Sequence, residues 1–121
     1  LDCGGKWLDK PNSLTAAGDT LRLLRGKSHE LVTSVSVVHE GTEIWALTDR
    51  AKLLMRDFSD DFLDTYLSCV GDDVMLSVGA YQLEGLGVQL FERIDGDYFT
   101  ILGLPLLPLL GFLRERNVIG Q

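Results

Sequence analysis

Thr42-Glu43-Ile44-Trp45-Ala46-Leu47-Thr48-Asp49-Arg50-Ala51-Lys52-Leu53-Leu54-Met55-Arg56 alternates along most of its length. Trp45, Leu47, Ala51, Leu53 and Met55 fall on one face; Thr48, Arg50, Lys52 and Arg56 fall on the other. Side chains of a strand point to opposite faces with a period of two, so this run is a strand with one dry face. Just ahead of it, Glu40-Gly41-Thr42 is a turn signal, and His29 to Val38 is rich in valine and reads as a buried strand. Together the two runs predict an antiparallel hairpin.

The flanks of the hairpin are helical. Asn12 or Ser13 can cap a helix whose Leu14, Ala17, Leu21 and Leu24 share a face, with Gly26 where a C-terminal cap belongs. Beyond the hairpin, Ser59 caps a second helix with Asp60 and Asp61 in its first turn. Phe62, Leu63, Tyr66, Leu67 and Val70 form its stripe, and Gly71-Asp72-Asp73 ends it. Leu1 to Pro11 reads as a strand end, a Gly4-Gly5 turn and a loop. Val88 to Ile94 reads as a strand, Asp95-Gly96-Asp97-Tyr98 as a hairpin-type turn, and Pro105 opens a last helix with Leu106, Leu109, Leu110 and Leu113 on one face. The order predicts an α/β fold, a largely antiparallel or mixed sheet with flanking helices, in one domain over residues 1–121.

The 121 residues suit one modest core, with 45% apolar and 24% charged residues. A net charge of −7 argues against nucleic-acid or anionic-membrane binding, although a few local cations suffice for one phosphorylated ligand. The most apolar segment, Ile101 to Leu113, is broken by Gly103, Pro105, Pro108 and Gly111, so no membrane span is expected. Cys3 and Cys69 fit neither a disulfide framework nor a metal motif, which makes a reducing cytoplasm the expected compartment. The chain opens Leu1-Asp2-Cys3 without an initiator Met and reads like the interior of a longer protein.

Several motif fragments fail on spacing. Gly26-Lys27-Ser28 ends like a phosphate loop, but the required first glycine is Leu21. Gly85-Leu86-Gly87 lacks the third glycine of a dinucleotide fingerprint, because that position is Leu90. His29-Glu30 would need a second histidine at Thr33 to bind zinc as a helical pair, so His29 and His39 read as ordinary structural residues. Asp60-Asp61 reads as helix capping rather than as a metal site. Two features remain. Lys10 precedes Pro11, which holds it extended ahead of a helix N-terminus, well placed for a phosphate; the plain alternative is a surface lysine. Glu84 lies among Gly79, Gly85 and Gly87, either as a solvated acid in a turn or as an acceptor for a ligand.

In order, Lys10-Pro11, Arg25-Gly26-Lys27-Ser28-His29-Glu30, Thr33-Ser34-Val35, Phe58-Ser59-Asp60, Gly79-Ala80-Tyr81, Glu84-Gly85-Leu86-Gly87, Glu92 to Tyr98 and Gly103-Leu104-Pro105-Leu106 span nearly the whole chain. This ensemble resembles the Maf family of nucleotide pyrophosphatases, also called septum-formation-inhibitor-like proteins. The resemblance implies a fold akin to the inosine triphosphate pyrophosphatases, with the site in a cleft between two lobes, and homodimers. It implies hydrolysis of nucleoside triphosphates, modified or non-canonical ones included, to the monophosphate and pyrophosphate, with a divalent cation such as Mg or Mn whose ligands are not specified. It assigns Lys10 and Glu84 to catalysis, and Lys10, Ser77 and Glu84 to substrate binding.

Three departures shape the expectation. The family's N-terminal phosphate loop has no counterpart here, and its catalytic aspartate would fall just ahead of Leu1. The chain alone is therefore expected to be nearly inactive, with a non-catalytic fragment that binds a nucleotide or a partner as the alternative. Ser77 stands where a lysine is usual, and Glu84 where the pyrimidine-preferring subgroup has glutamine. A carboxylate only accepts hydrogen bonds, which suits the N–H edge of guanine and points to 7-methyl-GTP.

Overall fold

The computed structural model describes residues 1–83 and 85–120, with Val78 described by its backbone only. The strands are β1 (Asp2–Cys3), β2 (Lys6–Trp7), β3 (Ser28–His39), β4 (Thr42–Met55) and β5 (Phe91–Asp95). The helices are α1 (Leu14–Leu24), α2 (Asp60–Val70), α3 (Tyr98–Leu102) and α4 (Leu106–Glu115). The sheet has the order β2-β1-β3-β4-β5 and is antiparallel, one of the two forms the sequence allows. Asp2 faces Trp7 on one side and Glu30 on the other.

Local chemistry explains most element ends. The hairpin turns at Glu40 (φ 51°) and Gly41 (φ 79°); two successive left-handed residues match the twist of the flanking strands. Ser13 accepts the Ala16 N–H and Ser59 accepts the Phe62 N–H, each over 3.0 Å, so both predicted caps are built. Gly26 leaves α1 at φ 71° and Gly71 leaves α2 at φ 62°.

The chain divides into two compact units. The first comprises Leu1–Glu30 and Lys52–Ile94. Its core gathers Ala17, Leu21 and Leu24 of α1, Leu53 and Met55 of β4, Leu63 and Tyr66 of α2, and Val74, Tyr81 and Leu90. The second comprises Leu31–Ala51 and Asp95–Gln121. There Trp45 stacks on Phe112 at 5.1 Å between ring centres, and Thr100, Pro105 and Ala51 are buried. The Thr33 hydroxyl donates to the Thr100 carbonyl, and the Thr100 hydroxyl donates to Asp49 at 2.7 Å, fastening α3 to the hairpin.

Three expectations are corrected. β3 forms, but only His29 in it is buried, and Val38 is 61% exposed; its valines express strand preference more than burial. The strand expected from Val88 begins instead at Phe91. Leu86–Leu90 is a tight three-residue-per-turn helix that buries Gly87 and Leu90, three positions apart. Asp95-Gly96-Asp97-Tyr98 is a strand-to-helix junction rather than a hairpin turn, because Asp97 accepts the N–H groups of Phe99 and Thr100 and starts α3.

Gly79 is a tightly packed point of the first unit. It sits at φ 81°, and a Cβ there would lie 2.5 Å from Tyr81 and 2.7 Å from Leu1. Gly79→Ala is therefore expected to cost about 2–5 kcal/mol, from left-handed strain plus overpacking. Gly111→Ala in α4, with open space around it, is expected to gain up to about 1 kcal/mol. Urea unfolding of the two variants checks the opposite signs.

Candidate functional site

The segment that follows α2 is shaped by non-local contacts. After Gly71–Leu76, a short helical turn of three residues per turn, the chain passes through Ser77 in an extended conformation and then through two left-handed residues, Gly79 and Ala80 (φ 65°). An alanine there is strained by about 1–2 kcal/mol. Two buried hydroxyls hold the strained step. Tyr66 of α2 donates to the Ala80 carbonyl at 3.1 Å, and the Tyr81 hydroxyl shares a hydrogen bond with His29 Nε2 at 2.8 Å. Phe91 packs edge-on against Tyr81 with ring centres 4.8 Å apart.

The electrostatics follow from burial. His29 is 2% exposed, and its Nδ1 has no hydrogen-bond partner among the described residues. Burial is the main cause that lowers its pKa from 6.5 to about 4. The imidazole is neutral at physiological pH. Burial also pushes the Tyr66 phenol up to about 12 and raises that of Tyr81, so both hydroxyls keep their protons. His29 is thus a structural residue, as the sequence suggests, and its partner lies 52 positions away.

Beyond Tyr81 the chain makes a closed loop. The Gly85 N–H donates to the Gln82 carbonyl at 3.1 Å. Gly87 lies against the same residue; a Cβ on it would fall 2.5 Å from the Gln82 oxygen. Glu84, assigned from the sequence to catalysis and substrate binding, lies outside the described residues. Ser77 is half-buried, and its carbonyl accepts the Ala80 N–H. Lys10 is exposed in the stretch between β2 and α1, just before buried Pro11 and the Ser13 cap.

A polar cavity of about 230 Å³ opens in the first unit, lined by Asp2, Gly4, Gly5, Ser28, His29, Glu30 and Lys52. Neither Lys10 nor Ser77 lines it. Sequence reading did not single out Asp2, Glu30 and Lys52. The available signals were the Gly4-Gly5 turn, where Asp2 accepts the Gly5 N–H, and the wet face of β4 that carries Lys52. Among the described residues no three His, Cys, Asp or Glu side chains stand together as a metal-ligand group, so these residues alone do not make the implied cation site. Among them, too, no helix is long and apolar enough to cross a membrane.

The fold and the site define an α/β protein in which a glycine-containing segment follows a buried tyrosine–histidine pair. The Maf-like protein family model matches residues 2–116, and the chain belongs to that family, as the motif series predicts. A nucleoside triphosphate pyrophosphatase of Hyphomonas neptunium is 54% identical over 119 residues, covering 98% of this chain and 60% of that protein. One of Paramagnetospirillum magneticum is 55% identical over 117 residues, with 97% and 60% covered. A 7-methyl-GTP pyrophosphatase of Rhizobium etli is 49% identical over 119 residues, with 98% and 60% covered. The chain thus spans about 60% of the length of these curated relatives.

The His29 shift has a measurable consequence. The unfolded chain binds a proton at His29 near pH 6.5, whereas the folded chain does so only near 4. The unfolded state therefore holds more protons between those values, and stability falls as pH falls through that window. Between pH 7 and pH 5 the loss is expected to be about 2 kcal/mol by urea unfolding. In His29→Gln, which can still bond Tyr81 and does not titrate, most of that slope disappears. An unchanged slope in the variant would contradict the assignment.

Proposed function

We propose that this chain serves, within a protein of its relatives' length, in hydrolysis of nucleoside triphosphates to the nucleoside monophosphate and pyrophosphate. The observation that carries the reading is identity of about half the residues across nearly the whole chain with proteins named for that activity. The oxygen of a water molecule would attack the α-phosphorus. The bond from that phosphorus to the α–β bridging oxygen breaks, and pyrophosphate leaves with the bond's electrons. The water's proton passes to a carboxylate base, which the family resemblance places outside residues 1–121.

Within this chain the proposed roles are electrostatic and selective. Lys10 stands extended ahead of α1, where its ammonium can meet phosphate charge as it develops on the leaving group. Ser77 is proposed to contact substrate. Glu84 is proposed as the acceptor that reads the base and favours 7-methylguanine, a preference also carried by the name of the Rhizobium etli relative. A divalent cation, Mg or Mn, is proposed as well. Such ions are held largely by substrate phosphates and water with one or two carboxylates, so a dedicated cluster is not required of this chain. A homodimer and a cytoplasmic location complete the reading.

The test is a pyrophosphate-release screen of the full-length protein with Mg over 7-methyl-GTP, GTP, dTTP and UTP. 7-Methyl-GTP is expected to be the best of the four by kcat/KM, and Glu84→Gln is expected to shift the preference towards pyrimidines by about tenfold, the worth of one hydrogen bond to a charged group. Release of orthophosphate in place of pyrophosphate would overturn cleavage between the α and β phosphates, and nucleotide binding with no turnover would overturn the hydrolase reading in favour of the non-catalytic one. An unchanged preference in Glu84→Gln would overturn the role of that residue.

A further inference from the structure

The described residues on either side of position 84 are tied to the core at identifiable atoms. Ala80 is held in its left-handed conformation by one side-chain donor, the Tyr66 hydroxyl on its carbonyl. The next residue, Tyr81, returns to an extended conformation (φ −148°, ψ 158°) and ends on His29. Gln82 follows directly, and it is the residue on which both Gly85 and Gly87 rest. The orientation of the Ala80–Tyr81 peptide therefore sets where the Gln82 backbone lies, and that backbone sets the loop.

Tyr66 is 5% exposed, and α2 is independently capped by Ser59 and stopped by Gly71. Its hydroxyl is thus not needed to start or end its own helix. We propose that Tyr66 is a positioning residue for the Gln82–Gly87 loop, acting through the Ala80 carbonyl, and that it thereby sets how sharply the protein discriminates among nucleobases. This inference rests on the reading of Glu84 given above. His29 and Tyr81 are the second clamp on the same peptide. Burial keeps the Tyr66 phenol protonated, so the clamp is a permanent donor across the working pH range.

The mechanism separates position from stability. Phenylalanine fills the same space without the hydroxyl, leaving the buried Ala80 carbonyl without its donor, so the left-handed step can relax. Leu63 is buried one turn earlier on α2 and has no hydroxyl to offer the loop, so Leu63→Ala supplies a destabilised control.

The experiment compares full-length wild type, Tyr66→Phe, Leu63→Ala, Glu84→Gln and the Tyr66→Phe/Glu84→Gln pair. In Tyr66→Phe, KM for 7-methyl-GTP is expected to rise about tenfold with kcat within about threefold, as one hydrogen bond's worth of positioning is lost. The ratio of kcat/KM for 7-methyl-GTP over UTP is expected to fall towards that of Glu84→Gln. On the Glu84→Gln background the hydroxyl deletion is expected to change that ratio by less than about twofold, because the two residues act through one loop. Leu63→Ala is expected to leave the ratio unchanged. Additive effects in the pair, or an equal fall in Leu63→Ala, would overturn the proposal. Amide hydrogen exchange gives a readout independent of turnover. Faster exchange in Tyr66→Phe confined to residues 79–88 supports the clamp, and unchanged exchange there overturns it. If wild type turns over no nucleotide, the hydrolase reading fails while the exchange result still decides this one.

Discussion

The first unit depends on one hydrogen bond made out of water, that between His29 at the start of β3 and Tyr81 beyond α2. A buried imidazole is tolerated only while neutral and partnered, and a buried phenol needs a mate as well. The His29 Nε2 and the Tyr81 hydroxyl meet each other's requirement, while His29 Nδ1 has no partner among the described residues. Their rings, with Phe91 of β5, form one aromatic cluster in which the three centres lie 4.8–5.9 Å apart. Three stretches of chain, from β3, the segment after α2 and β5, are joined there. Gly79 has no room for a Cβ because Tyr81 and Leu1 already fill that space.

That arrangement converts core packing into site geometry. Ala80 is held in an unfavourable conformation by Tyr66, and the cost is offset by a buried, directional bond. The chain beyond it closes on Gln82, against which Gly85 and Gly87 rest. The second unit uses the same device with smaller groups. Asp49, placed on the dry face of β4, binds the buried Thr100 hydroxyl and fastens α3, which Asp97 has started.

Features written in neighbouring residues were legible in the sequence. The Ser13 and Ser59 caps, the Glu40-Gly41 turn, the alternation of β4 and the glycine stops of α1 and α2 are each decided within a few positions. Leu86–Leu90 was not legible as a helical turn. Its apolar residues suit a short strand equally well, and the deciding fact is the close approach of Gly87 to the Gln82 backbone. Asp97 was ambiguous for a related reason, since Asp-Gly-Asp serves both hairpin turns and helix caps. Of the site, the motif series pointed to Lys10, Ser77 and Glu84. The Tyr66–Ala80 and His29–Tyr81 bonds, 14 and 52 residues apart in sequence, leave no local trace. Nor did Asp49 stand out, although its register places it on the apolar face.

His29 is locked neutral against Tyr81. The most direct measurement is an NMR titration of the imidazole resonances in uniformly labelled protein. The His29 shifts are expected to stay those of the neutral ring down to about pH 5, with a midpoint near 4 where the fold survives. They are also expected to move when Tyr81 is replaced by Phe. A His29 imidazole titrating near pH 6.5 would contradict this assignment, because a ring that gains its proton so readily is neither buried nor bound to the tyrosine beside it.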